Sequence, residues 1–146
     1  MPRIQAAFVC RSFQRESGGL LTFIGVVQSV RLPTVPANVT EAALGILITN
    51  LPNDKTTTLE IALLTENGFI PLDGKLRASI TIPPNEDGFA QIAYNIKAFV
   101  IPKYGDYRFV FFFDGSNDAI HYAPLVVRPL ATPEEDLPAW VKPTRH

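Results

Sequence analysis

The segment that most constrains this chain is Gly105 to Asp114, Gly-Asp-Tyr-Arg-Phe-Val-Phe-Phe-Phe-Asp, closed by Gly115. Side-chain alternation in an extended chain puts Tyr107, Phe109, Phe111 and Phe113 on one face and Arg108, Val110 and Phe112 on the other. Such a strand needs cover on both faces, and at a sheet edge it would pair with other chains. It is therefore read as a central strand, with Asp114-Gly115 turning into a return strand over Ala119 to Val127.

The rest of the chain repeats short alternating runs between turn signals. Ile4 to Phe13 and Leu20 to Val30 flank Ser17-Gly18-Gly19 and read as a first hairpin, with Gly25 a bulge or a close backbone approach. Leu32-Pro33-Thr34-Val35-Pro36 cannot continue a ladder and is expected to carry the chain between sheets. Ala42, Leu44, Ile46 and Ile48 then share a face, as do Leu59, Ile61 and Leu63, with Thr58, Glu60 and Ala62 opposite. Glu66-Asn67-Gly68 is a hairpin turn, because Asn and Gly tolerate positive φ. Leu76, Ala78, Ile80 and Ile82 mark one further inward face, and Ala90, Ile92, Tyr94 and Ile96 another. Eight or nine short strands without sustained helical periodicity predict an all-β antiparallel sandwich. At the start of the central strand, Gly105-Asp106-Tyr107-Arg108-Phe109 has the spacing of a tyrosine corner, in which the hydroxyl bonds a backbone group nearby.

With 146 residues the chain is read as one domain, 1–130, followed by a Pro-rich tail, 131–146. Charged residues make up 18% and the net charge is −1, which argues against a nucleic-acid partner. No apolar run reaches the roughly 18 residues of a spanning helix, so no membrane partner is expected. The lone Cys10 cannot form an internal disulfide and the start lacks a signal-peptide pattern, so the expected location is cytoplasmic.

Residues Ile4 through about Pro129 resemble a family of bacterial β-sandwich proteins of unknown function. The likeness rests on Leu21-Thr22-Phe23-Ile24-Gly25-Val26-Val27, on Pro33-Thr34-Val35-Pro36, and on Pro102-Lys103-Tyr104-Gly105-Asp106-Tyr107-Arg108-Phe109 before Asp114-Gly115. It implies an immunoglobulin-like sandwich and carries no catalytic residues to transfer. Residues 131–146 lie outside it.

Chemistry-bearing residues are sparse. Asp114-Gly115-Ser116-Asn117-Asp118 concentrates oxygen atoms, but position twelve of an EF-hand count is Leu125, which cannot supply the closing carboxylate, so no metal site is assigned. Glu86-Asp87 and Glu134-Glu135-Asp136 sit in Pro-rich stretches and read as solvated. His121 has no ligand or acid at a telling spacing, and Cys10 on an apolar strand behaves as a small hydrophobe. No catalytic residue, cofactor or phosphate loop is expected.

The function expected is a non-enzymatic interaction module binding a protein or a second copy of itself. The surface assigned to this is Val110, Phe112, Leu125 and Val127, read as an outward apolar patch, together with Trp140 of the tail, expected to lie against such a surface. The alternative is a small-ligand or carbohydrate-binding module with Tyr94, Tyr104, Tyr107 and Tyr122 at the rim.

Overall fold

Where alternation and turn residues coincide, the chain extends. The computed structural model describes residues 1–18 and 20–130. Among them the strands are β1 Arg3–Arg15, β2 Leu21–Val27, β3 Ser29–Leu32, β4 Ala37–Thr49, β5 Thr57–Thr65, β6 Gly68–Ile70, β7 Ala78–Ile82, β8 Ala90–Ile101, β9 Gly105–Phe113 and β10 His121–Pro129. That is one or two more than the alternating pattern predicts.

Two sheets result. One has the order β2-β1-β4-β8; the other runs β3-β10-β9-β5, with β6 and β7 both beyond β5 on its far edge. Every pair is antiparallel except β3 with β10. β4 with β8 in one sheet, and β5, β9 and β10 in the other, is the strand partition of an immunoglobulin-like sandwich.

The extra strand arises at Gln28. The predicted single run from Leu20 to Val30 breaks there, and β3 leaves the sheet of β2 to lie parallel to β10 in the other. The backbone N–H of Val126 donates to the Gln28 carbonyl and that of Leu130 to the Leu32 carbonyl, fixing the register. The prolines after Leu32 then return the chain to the first sheet at β4, so the predicted crossover is present but is the second of two. Gly25, in β2, has φ 67° and its backbone lies against the Arg11 side chain, as a close approach requires.

The core is the inner face of both sheets. Leu44, Ile46, Ile48 and Ile96 from one sheet meet Leu59, Ile61, Leu63, Phe109, Phe111 and Val127 from the other, all essentially free of solvent contact. The aromatic strand β9 lies between β10 and β5. Phe109 is directly opposite Ala123 on one side and Leu63 on the other, and meets Phe99 edge to face with ring centroids 6.1 Å apart. The tyrosine corner is present: the Tyr107 hydroxyl donates to the Lys103 carbonyl and accepts from the Lys103 N–H at 3.2 Å. Tyr104 ties this corner to the crossover, its hydroxyl donating to the Leu32 carbonyl at 3.0 Å. Leu76 departs from the prediction, lying before β7 and well exposed, while Ala78, Ile80 and Ile82 pack on the core as expected.

Candidate functional site

The expected outward patch divides in two. Val110 and Phe112 do point away from the main core, but they are buried, forming a second small cluster with Ala62 and partly buried Leu64. The Arg77 guanidinium stacks 3.8 Å above the Phe112 ring and donates to the Ser116 carbonyl at 3.2 Å and to Asn117 Oδ1 at 3.0 Å. Its Nη1 also reaches Glu60 Oε1 at 3.5 Å. Leu125 and Val127 are corrected: both belong to the main core. Residues directly opposite in a sheet share a face, and Leu125 pairs with Tyr107 and Val127 with Gly105, which puts them on the inner side of β9. Their place outside is taken by Tyr122 and Val126, with the Arg108 guanidinium 5.0 Å from the Tyr122 ring centre. Trp140 and the whole 131–146 tail lie outside the described residues.

The remaining candidate groups are engaged within the chain. Asp114 Oδ1 accepts from the Thr58 N–H at 3.0 Å while the Asp114 N–H donates to the Thr58 carbonyl at 2.8 Å, which pins the turn to β5. Ser116 Oγ accepts from the Asp118 N–H and Asn117 Oδ1 from Arg77, so Asp114, Ser116 and Asn117 each have a side-chain oxygen held by a protein donor. His121 is half-buried beside Phe111, and burial lowers its pKa below the ordinary 6.5. Cys10 is buried, and burial pushes its thiol up. The four tyrosines do not converge: Tyr107 and Tyr104 serve the corner and crossover, Tyr94 packs on the core, and Tyr122 lies on the outer sheet face.

A surface feature emerges instead along the side of the sandwich where β8 and β7 lie. β8 is the last strand of its sheet, with β4 on one side only. Ile92, Tyr94 and Ile96 turn their side chains to the core, leaving Gln91, Asn95 and Lys97 on the other face. β7 is hydrogen-bonded to β5 and not to β8, so the two edges stand side by side without a ladder between them. Between Ala90 and Lys97 the free edge of β8 has no backbone partner among the described residues. At its end the Asp73 N–H donates to the Ala98 carbonyl at 2.8 Å and bounds the gap.

Two hollows run along this edge. One, about 430 Å³, is lined by Asp73, Lys75, Arg77 and the Tyr94 to Lys97 stretch; the other, about 440 Å³, by Ile80, Ile82, Phe89 and the Ala90 to Ile92 stretch. Phe89, 64% exposed, is among the most exposed large apolar residues described. The alternation of β8 was legible in the sequence. Its position at a sheet end was not, because edge status depends on where distant β7 chooses to pair.

The sequence pattern of a family of unknown function (DUF6941) matches residues 5–128. No curated protein matches the chain. Among solved structures, an immunoglobulin-like protein from Pseudomonas aeruginosa is similar, with 14% identity, 88% of this chain and 97% of that chain covered, and a TM-score of 0.42.

Proposed function

The chain belongs to DUF6941, a family of unknown function, and from that starting point we propose that it is a non-enzymatic interaction module that binds an extended segment of a partner protein along the open edge of β8. The observation supporting this reading is the outward edge of β8 from Ala90 to Lys97, which has no backbone partner among the described residues, beside a groove whose opposite wall, β7, belongs to the other sheet. Unsatisfied N–H and C=O groups in a row are a template for one more strand, and peptide-binding domains use such edges for main-chain recognition. Natural proteins usually blunt an edge of this length with bulges, prolines or a covering loop. Here, among the described residues, the edge is blunted at one end, where Asp73 bonds the Ala98 carbonyl and Ala98 itself has φ 46°. A catalytic reading has less support, since His121 and the loop carboxylate Asp114 are committed to packing and hydrogen bonds within the chain. The sugar-binding alternative is weakened by the dispersal of its tyrosines.

The test is selection of binders from a library of random linear peptides displayed on phage, followed by mapping of each binder through backbone amide shifts of the labelled protein. The reading expects shifts clustered on Ala90–Lys97 and slowed amide exchange there. Binders mapping to the outer face of β9 and β10, or a library yielding none, would refute it.

A further inference from the structure

Resting on that reading, the groove is chemically polarised along its length, and from this we infer the order of side chains in the partner: an extended segment of about eight residues, acidic at its N-terminal end, apolar and free of acids at its C-terminal end. One end of the groove is lined by Lys75, Arg77 and Lys97 with Asp73, and Glu41 stands opposite Lys97 across the β4 ladder, which leaves an excess of one positive charge. Arg77 is engaged by Phe112, Glu60 and Asn117, whereas neither Lys75 nor Lys97 makes an ion pair among the described residues. The other end is walled by Phe89, Ile80 and Ile82, and the loop entering it carries exposed Glu86 and Asp87 in the turn that follows Asn85. An acidic residue is attracted to the first end and repelled at the second, where Phe89, Ile80 and Ile82 give an apolar side chain cover.

Direction follows from the ladder. Antiparallel pairing is the more stable per residue, and antiparallel to β8 the segment's N-terminal end lies beside Lys97 and its C-terminal end beside Ala90 and Phe89. From Ala90 to Lys97 an extended chain rises about 24 Å, which about eight residues span. Main-chain bonds supply affinity, and the two ends supply order.

The experiment uses the full chain and two synthetic peptides, Glu-Glu-Val-Thr-Val-Thr-Val-Phe and its reverse, Phe-Val-Thr-Val-Thr-Val-Glu-Glu. Affinities come from fluorescence anisotropy and location from backbone amide shifts. The acidic-first peptide is expected to bind at Ala90–Lys97 roughly five- to tenfold more tightly than its reverse, with the preference shrinking in salt. Lys97→Gln and Lys75→Glu, both on the surface, should remove the preference without lowering the melting temperature; glutamine is chosen at 97 because Glu41 stands directly opposite on β4. N-methylation of alternate residues should abolish binding in one of the two possible registers and spare the other, because only one set of N–H groups faces β8. Equal or inverted preference with shifts still on β8 would overturn the inferred order and leave edge recognition standing. Shifts on β8 that grow with protein concentration before peptide is added would assign the edge to a second copy and overturn the partner. Library binders that map away from β8 would remove the underlying reading together with this one.

Discussion

Replacing Phe109 with Ala probes whether β9 is the centre of the core. Phe109 is fully buried, faced by Ala123 and Leu63 across the ladders and packed edge to face with Phe99. Losing the transfer energy of the ring costs about 2–3 kcal/mol. A residual cavity of roughly 80 Å³ at about 24 cal/mol per Å³ adds about 2 kcal/mol, because strands bonded on both sides relax little. The expected loss is therefore ~4–5 kcal/mol, a large part of the stability of a domain this size. Urea unfolding followed by circular dichroism measures it as a lower midpoint at unchanged slope. Phe69→Ala, at a position 47% exposed on the short β6, serves as control and should change stability by less than ~0.5 kcal/mol. A loss below about 1 kcal/mol for Phe109→Ala would mean that the ring is not held in a close-packed site and that the reasoning from β9 outward is wrong.

Tyr107→Phe keeps the ring and removes the corner's hydroxyl, and should cost ~0.5–1.5 kcal/mol by thermal or urea unfolding; an unchanged midpoint would reduce Tyr107 to a packing residue. Gly45→Ala should destabilise by ~1–3 kcal/mol, since a Cβ there would stand 2.4 Å from the Phe8 ring and 2.9 Å from that of Phe23, which meet edge to face; tolerance without loss would show that the aromatic pair moves aside freely. His121 has a folded pKa below its unfolded one, so as pH falls through about 6.5 the unfolded chain takes up protons first and stability drops, levelling once the folded form also protonates. Melting temperatures across that window should decline more steeply for the native chain than for His121→Gln, and identical slopes would discount the histidine.

Much of this architecture is written locally. The inward faces of β4, β5, β8 and β9, the Glu66-Asn67-Gly68 hairpin and the Tyr107 corner are all consequences of period-two alternation, positive-φ tolerance or a fixed spacing, which neighbouring residues settle among themselves. β10 shows the limit. Ala123, Leu125 and Val127 alternate with Tyr122, Pro124 and Val126, so both faces are apolar enough to be buried, and composition cannot choose between them. The ladder to β9 chooses, by placing Leu125 opposite Tyr107. The cover over Phe112 likewise needed Arg77, which lies more than thirty residues earlier in the chain and is brought there by the pairing of β7 with β5. The same pairing leaves β8 open. Faces are a property of a strand, whereas edges, cover and register are properties of which strands meet, and long-range contacts alone decide those.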